Sequence, residues 1–227
     1  MVAALLAATV GIGGVALARG AEALPWRAAP AATGNDPFMG VADPSAPYDL
    51  RFLDEMIMHH EGAIMSARGM IADSSRPELR DLARRIIAGQ QRQVDQMRAW
   101  RQQWYPDAPA SVGGMGGMMG GGMMGGDSGG MMGGNGAGMM GGDGADRMFL
   151  RMMIPHHQLA IDMAQDALTN AQHDELKGLA REIIAGQSAE ITEMEGYLQA
   201  WYGEASTRDA SGAMRDMMRR MMGGGYR

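Results

Sequence analysis

The feature that most constrains the fold of this chain is a duplication within it. The segment MIMHHEGAI at residues 56–64 returns as MIPHHQLAI at residues 153–161. The offset of 97 residues is held without a gap through residues 52–105 and their copies at 149–202. A constant offset over such a length does not arise by chance. The chain therefore contains two copies of one structural unit, and we expect the two copies to fold alike and to pack together.

Each copy has the pattern of two helices. In the first, Leu53, Ile57, His60 and Ile64 follow one another at steps of three and four, which is one face of a helix. A second apolar stripe follows at residues 79–104, and Asp49 and Asp146 stand at matching places as N-cap candidates. Because neither hairpin can bury its stripe alone, the sequence predicts an all-α fold, a four-helix bundle made of two helical hairpins.

Between the hairpins lies a segment of glycines and paired methionines, too rich in glycine to hold a helix or build a core. The predicted order is a signal peptide or membrane anchor at 1–20, a linker at 21–45, the first hairpin at 46–105, a flexible Met/Gly-rich linker at 106–145, the second hairpin at 146–203 and a Met-rich tail at 204–227.

The N-terminal segment and the overall composition limit the cellular location and the kinds of partner that we expect. Residues 2–18 are all apolar or small, which suits a secretory signal or a short membrane anchor, with a buried core helix as the alternative. We therefore expect an exported protein, periplasmic or otherwise extracytoplasmic, either released or anchored by this segment. The chain has no cysteine, which excludes disulfides and thiolate metal sites. Its net charge is −6 and it lacks a basic cluster, so no nucleic-acid partner is expected.

Four of the five histidines lie in the duplicated segments, as the pairs His59–His60 and His156–His157. Packing the first helices of the two hairpins together would bring the pairs into one region, and facing helices are the usual source of metal sites in bundles. Imidazole suits copper, zinc, iron and nickel, whereas thioether sulfur selects copper(I), and silver(I) by the same logic. Methionines stand within one turn of these histidines: Met56, Met152 and Met153. The alternatives are hydrogen-bonded core histidines and gap-filling methionines.

Several polar residues are candidates for a supporting role behind such ligands. Gln90 and Gln187 lie at matching places on the apolar stripes, where they need a partner: a ligand histidine or a backbone group. Glu61 is matched by Gln158 in the copy, which indicates a solvated or supporting carboxylate. Pro155 should kink its helix and free the carbonyl four residues earlier.

Methionine is also abundant outside the hairpins. Adjacent pairs in the linker are auxiliary soft-metal candidates, with a plain spacer as the alternative: Met118, Met119, Met123, Met124, Met131, Met132, Met139 and Met140. The tail carries Met214, Met217 and Met218 at helical spacing. This spacing fits either an amphipathic helix that docks on an apolar surface or a second soft-metal strip.

The duplicated motifs, each followed by a helix with Ile-Ile, Gln and Met, resemble the CopM-like family over about residues 46–203. This resemblance implies a ferritin-like four-helix architecture in an exported bacterial protein that binds copper, and silver, through His and Met, and that contributes to metal tolerance. By matching positions it implies ligands at His59, His60, His156 and His157, with Met56 and Met153. Met58 departs from the family's motif, which has proline at that place.

Two other classes of function compete with metal handling. Ferritin-like di-iron oxidases use Glu-x-x-His motifs, and this chain has none, so we expect a metal-binding protein rather than an enzyme, with oxidation of copper(I) left open. The second class is a structural or interaction bundle at a membrane surface, which would need no metal.

Overall fold

A computed structural model describes residues 38–39, 42–43, 45–110 and 142–222, without the side chains of the last two. Outside these ranges lie the predicted N-terminal signal or anchor and most of the segment predicted as the first linker. The eight paired methionines of the Met/Gly-rich linker, Met118 to Met140, also lie outside them. Within the described ranges, no helix combines the length and the apolar character needed to cross a bilayer.

The described chain forms five α-helices and no strand. The helices are α1 (Tyr48–Asp73), α2 (Pro77–Trp104), α3 (Asp143–Asn170), α4 (Asp174–Tyr202) and α5 (Ser211–Met222). A single turn of 3-10 helix, Arg208–Ala210, precedes α5. Short connections join α1 to α2 and α3 to α4, so each pair is an antiparallel hairpin.

Local sequence accounts for several helix ends. Pro77 begins α2, where its missing N–H leaves no hydrogen bond unmade and its fixed φ suits the first turn. Gly203 follows α4 with a φ of 66°, the left-handed conformation that ends many helices and that a side chain would strain. These signals place the two long hairpins almost where the apolar stripes predicted them.

The two hairpins share their core. One buried cluster joins Leu53 and Met97 of the first hairpin to Leu159 and Ile183 of the second. A second cluster is likewise built from both hairpins. The hairpins meet mainly through α1 and α3, while α2 and α4 touch only sparingly. The predicted all-α bundle of two duplicated hairpins is thus confirmed, and its central seam is formed by the two helices that carry the histidine pairs.

The predicted N-caps at Asp49 and Asp146 are wrong. Neither caps its own helix, and the N-cap positions are Pro47 and Gly142. Asp49 instead accepts hydrogen bonds from the backbone N–H groups of Gln172 and His173, at 2.9 and 3.0 Å, just before α4. A carboxylate at that end is favoured by the helix dipole.

A matching pair holds the other end of the bundle. Buried Asp146 lies 3.4 Å from Nε of Arg76, the residue before α2. The guanidinium carbon of Arg76 lies 4.2 Å from the centroid of the Trp201 ring. At the first end, in the same way, the His173 ring stacks on Trp104 with 3.8 Å between the ring centroids. His173 is therefore half-buried between Trp104 and the carboxylate of Asp49. Each hairpin's first helix fastens the start of the other hairpin's second helix.

The tail packs back on the bundle near Pro155. Pro155 lies inside α3 and has no N–H to give to the carbonyl of Arg151. The hydroxyl of Thr207 donates to that carbonyl at 3.0 Å. The predicted free carbonyl therefore exists, and it helps to fix the segment that leads into α5, which lies against α3.

Candidate metal centre

The two histidine pairs meet at the seam between α1 and α3. The ring centroids of His59 and His156, one from each hairpin, are 3.7 Å apart. Within the pairs, the centroids are 6.1 Å apart for His59–His60 and 6.3 Å for His156–His157. All four side chains are buried, and the most exposed of them, His156, shows 8% of its surface. Four imidazoles thus share one region from which water is almost excluded; we call them the histidine cluster.

Three of the four rings are oriented by a hydrogen bond at Nε2. His59 Nε2 lies 3.0 Å from the carbonyl oxygen of His156, His60 Nε2 lies 2.8 Å from Gln93 Oε1, and His157 Nε2 lies 2.8 Å from Glu190 Oε2. A carbonyl or carboxylate oxygen only accepts, so Nε2 donates in each case. In a neutral imidazole the proton at Nε2 leaves the lone pair on Nδ1.

The Nδ1 atoms of all four histidines are buried, and none has a hydrogen-bond partner among the described residues. A buried polar atom without a partner is costly and calls for an explanation. Core histidines that merely fill space would use both nitrogens. An ion that prefers imidazole nitrogen would satisfy these lone pairs, as copper, zinc, iron and nickel do, and the neighbouring thioethers favour copper(I) among them.

Burial favours the neutral form of three of these rings, those of His59, His60 and His156. Desolvation is the main cause that lowers the pKa of His59 well below its ordinary value of 6.5, with the nearby His156 adding to it. The pKa of His60 is lowered to about 4, again mainly by desolvation, against a hydrogen bond with Gln93 that raises it. Desolvation and the neighbouring His157 lower the pKa of His156 to about 3. Neutral imidazole is the form that binds metal.

The predicted methionine ligands differ in exposure. Met56 is fully buried in the core and Met153 is 3% exposed. Met153 and His156 line one pocket of about 380 Å³. Met152 lines the same pocket but is 42% exposed. Among the described residues, no three His, Cys, Asp or Glu side chains are arranged to hold an ion. The histidines alone therefore form no ready-made site, and the thioether of Met153, which shares a pocket with His156, is a further donor.

The supporting residues differ from those expected. Gln90 and Gln187 are buried, but their amide atoms make no hydrogen bond within the described chain. Both line a pocket of about 420 Å³ between α2 and α4. Glu61 forms an ion pair with Arg98 and contacts no ring nitrogen of the histidine cluster in a hydrogen bond. Glu61 thus lies one residue from His60 without orienting it.

Sequence reasoning missed Gln93 and Glu190, which do orient the histidines. Gln93 lies about one helical turn after Gln90, and Glu190 lies about one turn after Gln187. Gln93 and Glu190 occupy matching places in the duplication. Each also lies 33 residues after the histidine that it binds. That equal spacing was the signal available in the sequence, although Gln in one copy and Glu in the other obscured it.

Comparisons with known proteins agree with this fold. A family model described as "Domain of unknown function (DUF305)" matches residues 49–196 and again 146–226. The solved structure of CopM in its Cu(I)-bound form is 35% identical, with a TM-score of 0.53, and the match covers 68% of this chain and 98% of that one. CopM has also been solved in Ag-bound and Cu(II)-bound forms, each 34% identical to this chain.

Two further matches extend the comparison. A DUF305 structure from Streptomyces coelicolor is 24% identical, with a TM-score of 0.55 over 70% of this chain and 96% of that chain, which supports the fold alone. An uncharacterized protein of Acanthamoeba polyphaga mimivirus is 40% identical over 53 residues, 23% of this chain. The chain spans about a third of the length of that curated relative, 35% of it.

Proposed function

The chain belongs to the DUF305 family, and from that premise we propose that it binds copper(I), and silver(I), through the histidine cluster and neighbouring methionines. Its similarity to CopM, which has been solved with Cu(I), Cu(II) and Ag, supports a copper-related function. The candidate ligands are His59, His60, His156 and His157, with a thioether from Met153 or Met56. Because no three of these histidines are arranged around one point in the described ranges, binding an ion requires their rings to shift.

The observation that carries this proposal is the set of four buried Nδ1 atoms without a partner. Three of the rings are locked with Nε2 as the donor, which leaves Nδ1 as the free lone pair. Orientation of a ligand histidine through its other nitrogen is the usual arrangement around bound metals. Soft thioether sulfur beside imidazole then favours copper(I) over zinc or iron.

We propose sequestration or handling of the metal rather than catalysis. The donors are imidazole nitrogen and thioether sulfur, and the sequence has no Glu-x-x-His motif of the kind that ferritin-like di-iron oxidases use. The apolar residues 2–18 and the resemblance to exported proteins favour a place outside the cytoplasm, where binding would contribute to metal tolerance. The paired methionines at Met118–Met140 would serve as auxiliary ligands for the same soft ions.

A copper(I) titration of the full chain against a competing chelator tests the proposal. The test variant combines His59→Gln and His156→Gln, which removes both imidazoles, and the glutamine amide at position 59 can replace the Nε2 donor of His59. His173→Gln is the matched control, since His173 stacks on Trp104 away from the cluster. We expect a loss in affinity of tenfold or more for the double variant alone, with circular dichroism confirming the fold. Equal binding by all three proteins would refute the assignment.

A further inference from the structure

A pocket rich in methionine lies beside the histidine cluster, between α1, α3 and α5. It has a volume of about 380 Å³, and seven of its eleven lining residues are methionines. Met65 comes from α1, Met148 and Met152 from α3, and Met214 and Met217 from α5. We call it the methionine pocket. The tail helix α5 supplies one wall of this pocket. The sequence left two alternatives for the tail, a docked amphipathic helix and a soft-metal strip, and both concern this same surface.

Core packing does not explain these methionines. Met65, Met148, Met152 and Met217 are 55, 51, 42 and 38% exposed, and they are the exposed large hydrophobic side chains of the described ranges. All four line this one pocket. Side chains that fill cores are buried, as Met97 and Met194 are here. Leucine would serve equally well for an apolar surface, so the repeated choice of thioether indicates the chemistry of sulfur.

The pocket's other residues fit a soft cation. None of those that line it is acidic, so it offers no oxygen ligand of the kind that hard cations prefer. Its one imidazole is that of His156. Gly62 also lines the pocket beside His156, and a Cβ added at Gly62 would lie 3.8 Å from His156 Nε2, in ordinary van der Waals contact. Thioethers and an imidazole are the donors that copper(I) and silver(I) take.

We propose that the methionine pocket is a second soft-metal site, which takes Cu(I) or Ag(I) on thioethers from α1, α3 and α5 and adjoins the histidine cluster at His156. This inference rests on the proposed function and deepens it, because an exposed site next to a buried one provides a place where the ion is received. His156 stands between the two, with Nδ1 buried and its ring lining the pocket. The tail helix is then part of a metal site.

Silver(I) is the probe of choice because it binds as copper(I) does and needs no reductant. The full chain is labelled with [methyl-13C]methionine and titrated with Ag(I), and bound ions are counted by native mass spectrometry. The test variant is Met65→Leu/Met152→Leu/Met217→Leu, which keeps the apolar volume and removes the sulfur. The matched control replaces buried methionines outside the pocket, Met97→Leu/Met163→Leu/Met194→Leu.

We expect the pocket variant to bind at least one silver ion fewer than the wild type, and the control to bind as many. The methyl resonances of Met65, Met152 and Met217 should shift in the first equivalents. An unchanged count in the pocket variant, or no shift of these resonances, would overturn the inference.

The same titration separates this inference from the proposed function. A His59→Gln/His157→Gln variant keeps His156, which lines the pocket. If this variant loses silver while the pocket variant does not, the histidine cluster is upheld and the pocket is rejected. A pocket variant that loses silver while the histidine variant keeps all of it would uphold the pocket and reject the cluster. If the wild type binds no silver and no copper(I), both ideas fail.

Discussion

At the scale of single residues, the nitrogens of each clustered histidine have different tasks. Nε2 is held by a protein acceptor in three of the four rings, whereas Nδ1 is left without one. The acceptors differ between the copies, because His60 has the neutral amide of Gln93 and His157 has the carboxylate of Glu190. A carboxylate behind a ligand histidine raises its basicity, so the duplicated sites are electrostatically unequal.

The first prediction concerns this carboxylate. Glu190→Gln should lower the affinity for copper(I) by about tenfold, since loss of such a supporting partner typically costs 10–100-fold in metal affinity. The measurement is competition with a chelator at pH 7. Glu182→Gln is the matched control, because Glu182 lines the same pocket between α2 and α4 without bonding a histidine. A Glu190→Gln protein that binds like the control would show that the carboxylate does not act through His157.

The second prediction concerns acid stability without metal. The unfolded chain protonates its histidines near 6.5, whereas His60 and His156 stay neutral in the fold until about pH 4 and 3. Below pH 6.5 the unfolded state therefore binds more protons, and stability falls as the pH drops toward those values. For His60 the loss by pH 4.5 should be on the order of 2–3 kcal/mol.

Urea unfolding of the metal-free protein between pH 7.5 and 4.5 measures this loss. The His60→Gln variant should lose less stability over the same range, and the difference between the two slopes isolates His60 from the carboxylates. Equal slopes for the two proteins would contradict the prediction.

At the scale of elements, each hairpin is fastened by the other. Asp49, which is 1% exposed, belongs to α1 but holds the first residues of the second hairpin's α4. Asp146 of α3 lies against Arg76 at the start of α2. Because both contacts cross between hairpins, an end of a helix in one copy is stabilised only after the other copy has docked.

The third prediction follows from this arrangement. Asp49→Ala should lower the free energy of unfolding by about 2–3 kcal/mol, because it removes a buried charged acceptor from two part-buried backbone N–H groups. Asp174→Ala is the matched control: its side chain is 94% exposed and lies 3.6 Å from Lys177, an ion pair worth at most about 1 kcal/mol. Urea unfolding compares the variants, and losses of similar size in both would argue against the role of Asp49.

The sequence predicted the helices more accurately than it predicted the side-chain contacts that join them. The hairpins were predictable because periodicity and a constant offset both depend on neighbours along the chain. The histidines were predictable because pairing and duplication are unusual. Asp49 was misassigned because a cap was sought on its own helix, while its partner lies 123 residues away. Gln90 and Gln93 stand about one helical turn apart, so the sequence does not separate them, and only packing decides which one meets a ring.

At the scale of the whole molecule, the proposed metal centre lies on the seam that joins the two hairpins. Two contacts cross this seam: the rings of His59 and His156 lie against each other, and His59 donates a hydrogen bond to the carbonyl of His156. Contacts between α2 and α4 are few, so docking of the hairpins depends mainly on α1 and α3. An ion bound by ligands from both helices would therefore tie the hairpins together as well as fill the centre.

The last prediction is that soft metal stabilises the fold. A ligand that binds only the folded protein adds about 2.7 kcal/mol at a concentration 100 times its dissociation constant, and binding by methionines of the unfolded chain lowers this gain. The apparent Tm of the full chain should therefore rise when silver(I) is added. The His59→Gln/His156→Gln variant should lose most of that rise and the His173→Gln control should keep it, because only the former removes ligands on both sides of the seam. A rise that is equal in the two variants would place the stabilising ion outside the histidine cluster, and the methionine pocket would then be the site to test by the Met→Leu substitutions.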